Sequence, residues 1–208
     1  MHERHTRRFF DWPSDLEARK ALLAITRRDR AALTKLYMSY YGGLRHFLAQ
    51  VMESESRVED IINDTFLAIW ESPQEFPAES KVSVHVFRIT YRHALGLMRC
   101  NTPRALAHCD EKLERPKREA GTALITHQPL SWALQSLSAE QRAVLTLCYR
   151  MGCSIREIAA ITESQTETVE LRMSQAREQL RRSLNALETE LSTEVFSATV
   201  APSDVEFS

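Results

Sequence analysis

Glycine is scarce in this 208-residue chain, at five residues, and no run of alternating β-branched residues accompanies it. Apolar residues instead recur at i, i+3 and i+4, so the expectation is an all-α protein without strands. No window approaches the roughly 20 consecutive apolar residues that cross a bilayer, and the Arg- and His-rich N-terminus lacks the apolar stretch of a signal peptide. Direct membrane insertion is therefore excluded and a cytoplasmic location expected. Cys100, Cys109, Cys148 and Cys153 form no CxxC pair, and a chain of 23.9 kDa does not need disulfides to be stable. His108 adjoins Cys109, but nothing supplies further ligands, and adjacent residues rarely converge on one substrate. With no glycine-rich phosphate loop or metal-ligand set, no catalytic residue, metal or cofactor is expected.

A formal net charge of −1 first argues against a nucleic-acid partner. The mean hides a segregation. Between Met52 and Glu79 eight acids face Arg57 alone, whereas between Lys81 and Arg118 nine bases face Asp110, Glu111 and Glu114. Two partners of opposite character follow. With 43% hydrophobic and 26% charged residues the chain has material for a core. The stretch 101–129, with Pro103, Pro116, Gly121 and Pro129 and poor periodicity, reads as a linker between two helical bundles. Beyond Leu191, where Glu194, Asp204 and Glu206 meet no base, the sequence predicts an irregular, frayed acidic tail.

In the first bundle, Ser56 with Glu59 has the spacing of a capping box and Pro73 sets a far limit, which predicts a helix from about Arg57 to Glu71. Val58, Ile61, Ile62, Phe66 and Ile69 share its inner face, and Asp60 and Asp64 lie one turn apart elsewhere, on a surface that is either merely solvated or a docking face. In the next helix Lys81, His85, Arg88, Arg92 and Arg99 fall within about 60° of one another, and Val84, Phe87, Tyr91, Ala94, Leu95 and Met98 cluster on another side. Such a basic stripe can follow a phosphate backbone. Phe76, His85 and Tyr91 could stack on an unpaired base or belong to the core.

In the second bundle, capping-box spacings at Ser138/Gln141, Ser154/Glu157 and Ser164/Glu167 mark three successive helix starts. The first helix should end near Gly152; the second, about Ile155 to Ile161, is short; the third carries Val169, Met173, Ala176, Leu180, Leu184 and Leu187 inward. A short helix, a tight turn and a long helix form the helix-turn-helix plan. Gln165, Thr166, Thr168, Glu170 and Leu171 are the candidates for base edges, and Arg150, Arg156, Arg172 and Arg177 for phosphates.

The two halves in this order resemble the sigma-70 family, specifically its extracytoplasmic-function group. VEDIINDTFLAIWESPQEF resembles the family's polymerase-binding helix, HVFRITYRHALGLMR its segment for the minus-ten element, and LSAEQRAVLTLCYRMGCSIREIAAITESQTETVELRMSQAREQLRRSL its region 4. The resemblance implies an N-terminal extension at 1–27, region 2 at 28–100, a linker at 101–129, region 4 at 130–188 and a tail at 189–208. It implies Asp60, Ile61, Asp64, Phe66 and Trp70 as polymerase-binding residues, and Lys81, His85, Arg88, Arg92 and Arg99 for minus-ten DNA. For minus-thirty-five DNA it implies Arg156, Gln165, Thr166, Thr168, Glu170, Leu171, Arg172 and Arg177. The partners implied are core RNA polymerase (β′ clamp and β flap), promoter DNA and an anti-sigma factor, and the function is promoter selection and melting. The family commonly has Trp at the position of His85, Asn at Arg92, Asp at Gly96, Gly at Glu167 and Lys at Glu170, so base preference does not carry over. The alternative is a helix-turn-helix regulator acting without polymerase.

Overall fold

The computed structural model describes residues 10, 12–52, 55–77, 79–100 and 133–199, with 99–100 and 187–199 as backbone only. The proposed linker, His108, Cys109, the Arg99 side chain and the last residues of the tail lie outside the described residues. No strand occurs among those described.

Four helices build the first domain: α1 (Asp15–Thr26), α2 (Arg30–Val51), α3 (Val58–Glu71) and α4 (Val82–Cys100). A capping box that the sequence reading did not pick out starts α1, with the Ser14 hydroxyl accepting from the Glu17 N–H and the Glu17 carboxylate accepting from the Ser14 N–H. The Asp15 carboxylate accepts from the Val82 N–H at 2.8 Å and the Arg19 guanidinium donates to the Ser80 carbonyl, so α1 fixes where α4 begins. Burial raises the Asp15 pKa, but the Val82 N–H and the Arg19 cation outweigh it and leave the carboxyl below its ordinary value. The Ser56 capping box is not formed. Glu55–Arg57 make a 3-10 turn, Arg57 occupies the cap of α3 without a side-chain bond, and Glu59 instead accepts from the Tyr41 hydroxyl at 2.8 Å.

The expected inner face of α3 is buried as read: Val58, Ile61, Ile62, Phe66 and Ile69 lie in one core with Leu36, Tyr40, Leu44, Phe47 and Phe87. Polar atoms inside it are paired. The Thr65 hydroxyl donates to the Ile61 carbonyl and lies 3.2 Å from the Thr90 hydroxyl, which donates to Val86 O, so α3 and α4 are joined by a satisfied network rather than an orphaned one.

The second domain consists of α5 (Ala139–Tyr149), α6 (Ile155–Thr162) and α7 (Thr166–Thr199), preceded by a helical turn at Ala133–Gln135. Ser138/Gln141 and Ser154/Glu157 form the expected capping boxes. Gly152 takes the left-handed conformation, φ 68°, just past the end of α5. At the third site Gln165 rather than Ser164 sits at the cap, because the Val169 N–H donates to Gln165 O and the Ser164 hydroxyl donates to Thr162 O. The long helix also continues past Leu191, where an irregular tail is expected, and reaches Thr199. The reason is in the sequence: no proline or glycine occurs between Gly152 and Pro202, and Glu, Leu and Ala favour helix.

The two domains pack against each other. α4 lies along α6 and α2 along α5, and one apolar cluster includes residues of both, among them Phe87, Val144, Leu147, Ile158 and Ile161. Arg142 donates to Val51 O at 3.3 Å, and Lys81 Nζ meets Glu157 Oε1 at 2.7 Å.

Candidate nucleic-acid interface

Burial of one side of α3 leaves Asp60, Asn63, Asp64, Leu67 and Glu71 exposed on the other, at spacings of three and four residues. Leu67, which the sequence reading did not single out, is 53% exposed between the acids, an apolar centre on an acidic ridge. Ile61 and Phe66, expected among the polymerase-binding residues, are 1% and 4% exposed and belong to the inner face; they position the ridge from beneath. Trp70 is half-buried at its end, where the Arg28 guanidinium stacks 5.3 Å over the ring and donates to the Trp70 carbonyl.

The basic stripe of α4 is not a uniform surface. Arg92 is exposed, Lys81 is tied to Glu157, and Arg88 is half-buried with its Nε shielded and unpaired. His85, placed by helical angle among the bases, is only 5% exposed. Its ring lies 4.1 Å from that of Phe76, and Nδ1 is 2.8 Å from Arg88 Nη2. Burial first, then the charges of Arg88 and Arg92, bring the His85 pKa down to about 4, so the ring is neutral and accepts from Arg88. The burial has a packing cause: the Phe76 ring, from the segment before α4, lies against His85, while α4 also packs on its own domain and on α6.

In the helix-turn-helix, Ile158 and Ile161 of α6 share a buried cluster with Val169 and Met173 of α7, and Ala176 packs with Leu137 and Leu145. The turn is set by Glu163 in the left-handed region, φ 50°. Gln165, Glu170 and Leu171 are exposed and Thr166 and Thr168 half-buried, so the expected base-edge residues cluster at the start of α7. The same face continues through Ser174 and Gln175, both exposed and both missed by the sequence reading, although i+4 from Glu170 and Leu171 signals them. Arg156 is exposed. Arg172 is not free for phosphate: it meets Glu140 Oε2 at 2.7 Å and donates to the Ser164 hydroxyl at 3.0 Å, binding α7 to α5 and to the turn. Arg177 donates to the Tyr149 hydroxyl at 2.9 Å and lies over that ring.

Two family models match this architecture: Sigma-70 region 2 over residues 36–103, and Sigma-70, region 4 over residues 128–180. The chain belongs to the sigma-70 family. Together the two regions span more than half of this sigma factor, in the order and on the domains described above. Such domains bind RNA polymerase and promoter DNA, and the protein directs transcription initiation by RNA polymerase. The reading as a regulator acting without polymerase is not favoured. Among its relatives is the ECF RNA polymerase sigma factor SigM of Mycobacterium tuberculosis, 27% identical over 163 residues that cover 77% of this chain and 81% of SigM. The ECF sigma factor SigE of Mycolicibacterium smegmatis is 28% identical over 183 residues, 82% of this chain and 70% of SigE. Among solved structures, the sigma factor RpoE in complex with the anti-sigma factor NepR from Bartonella quintana superposes with a TM-score of 0.57 at 26% identity, covering 69% of this chain and 91% of RpoE. Sigma factors in general are not enzymes. No helix among the described residues is long and apolar enough to cross a membrane.

Proposed function

We propose that the ridge Asp60, Asp64 and Leu67 on α3 docks this sigma factor on the β′ clamp of core RNA polymerase, with Trp70 at its edge. The observation that carries this is the combination of acidic charge and a 53%-exposed leucine on the only face of α3 that the core leaves open. Charge steers the encounter and the apolar centre supplies area. With the polymerase holding both domains, Arg92, Lys81, Arg88 and Arg99 line up along minus-ten DNA, and Phe76 and His85 support α4 from below. At the other end Gln165, Thr166, Thr168, Glu170 and Leu171 meet the minus-thirty-five element, and Arg156 holds phosphate. Arg172 and Arg177 position the recognition helix. Linking both domains through the 101–129 segment makes the second DNA contact intramolecular and raises avidity without new contacts.

The closed packing of α4 on α6 occupies Lys81 and covers part of the basic helix, so DNA engagement requires the domains to part. An anti-sigma partner that stabilises the closed pair fits this requirement, and the complex formed by RpoE makes that partner class the expectation here. The chain works in the cytoplasm and catalyses nothing itself; initiation chemistry belongs to the polymerase. Gel filtration with core polymerase tests the docking face: wild type co-elutes, and Asp60→Ala/Asp64→Ala/Leu67→Ala does not. Co-elution of the triple variant at wild-type affinity would move the docking site elsewhere.

A further inference from the structure

Ahead of α1, Phe10 and Trp12 both pack on the apolar core that spans the two domains, and the Trp12 N–H donates to the Phe10 carbonyl at 3.1 Å. Trp12 lies directly on α2. A Cβ added at Gly43 would stand 2.0 Å from Trp12 Cη2, so only glycine admits the indole there. Glycine in a helix interior lowers helix stability relative to alanine. At Gly43 the close approach of Trp12 explains it, whereas neighbouring Gly42 faces open space. The indole lies 5.2 Å from the Tyr40 ring and meets Phe87 of α4 edge-on at 5.4 Å. Phe10 reaches further along α2 to His46, at 5.7 Å, and His46 Nε2 accepts from Arg150 Nε of the second domain at 3.2 Å. Trp12 also lines a cavity of about 180 Å³ together with Met151, Gly152, Cys153 and Glu157 of the second domain.

We propose that Phe10 and Trp12 form a strap that fastens the two domains in the closed arrangement, with Gly43 as its seat, and that its release accompanies opening. The strap touches α2 and α4 from one side, walls the seam cavity, and through His46 backs the Arg150 contact. Burial, then the charge of Arg150, holds the His46 pKa below its ordinary value, which keeps the ring a neutral acceptor for that bond. The fastening concerns the free chain. Its consequence for polymerase rests on the sigma-factor reading.

The test uses the full chain and three variants: Trp12→Ala, Gly43→Ala and the two combined. Small-angle scattering gives the radius of gyration, circular dichroism the helix content, and stopped-flow mixing with core polymerase the association rate. Each single variant is expected to keep its helix content, to enlarge the radius of gyration, and to raise the association rate by about threefold to tenfold. The double variant is expected to match Trp12→Ala, because Gly43→Ala acts only by expelling the indole. An unchanged radius in both single variants would overturn the strap, as would a Gly43→Ala effect that persists undiminished without Trp12. Loss of helix content in Trp12→Ala would also overturn it, since Trp12 would then be a core residue of the first domain rather than a fastener. Chains that open but do not bind polymerase would contradict the sigma-factor reading and leave the strap standing.

Discussion

Lys81 Nζ and Glu157 Oε1 meet at 2.7 Å, joining the residue just ahead of α4 to the first helix of the helix-turn-helix. Burial raises the Glu157 pKa, but the Lys81 ammonium and the Ser154 cap outweigh it, and the carboxyl lies below its ordinary value. The pair therefore ties the positive charge at the start of α4 to the second domain.

Because the Lys81 side chain is 55% exposed, solvent screens the pair, and exposed pairs contribute about 0.2–1 kcal/mol. Lys81→Met should shift the closed-to-open ratio by about 1.4-fold to fivefold, read as a larger radius of gyration. High salt should move the wild type in the same direction and leave the variant less affected.

His85 gives the fold a defined acid sensitivity. Its pKa is about 4 in the folded chain against an ordinary 6.5, so the unfolded chain takes up the proton first. The stabilisation is complete above pH 6.5 and declines as pH falls toward 4, by about 3 kcal/mol. Urea melts across that interval should show the decline. His85→Gln should flatten the profile, with His46 supplying a residual slope of the same sign.

Arg172 is a strut between α5, the turn and α7. Arg172→Lys keeps the charge but loses the geometry that serves Glu140 and Ser164 together, and should cost about 0.5–1.5 kcal/mol in chemical denaturation. Ser174→Ala and Gln175→Ala should stay within about 0.5 kcal/mol of wild type. If the recognition face extends along α7 as drawn, they will instead change base preference in a promoter-selection assay.

Glu163 carries strain that glycine would remove. A non-glycine residue in the left-handed region costs about 1 kcal/mol, so Glu163→Gly should raise the urea midpoint by a corresponding amount and leave helix content unchanged. A lowered midpoint would mean that the Glu163 side chain compensates the strain.

Local signals were the legible part. Serine caps at Ser138 and Ser154, the turn glycine Gly152 and the periodicity of α3 all depend on residues within a turn of each other, and each placed its element. Ser56 and Ser164 share the same spacing but failed, because Glu59 bonds Tyr41 of α2 and Ser164 bonds Thr162 and Arg172. Those competitors are set by tertiary approach. His85 shows the same limit: a helical wheel gives angle but not cover, and the Phe76 ring that lies against it comes from the segment before α4, which no pattern within α4 announces. Trp12 belongs with these, since its seat on Gly43, 31 residues further on, exists only once tertiary packing brings the two together.

The central claim is that this chain is a polymerase subunit whose α3 ridge makes the docking contact. Its most direct test is run-off transcription by core polymerase from promoters selected with the purified protein, comparing wild type with Asp60→Ala/Asp64→Ala. Promoter-dependent transcript with the wild type, reduced at least tenfold in the variant and partly restored at high variant concentration, is the predicted result. No transcript from any selected promoter with the wild type, or an undiminished one with the variant, would contradict it.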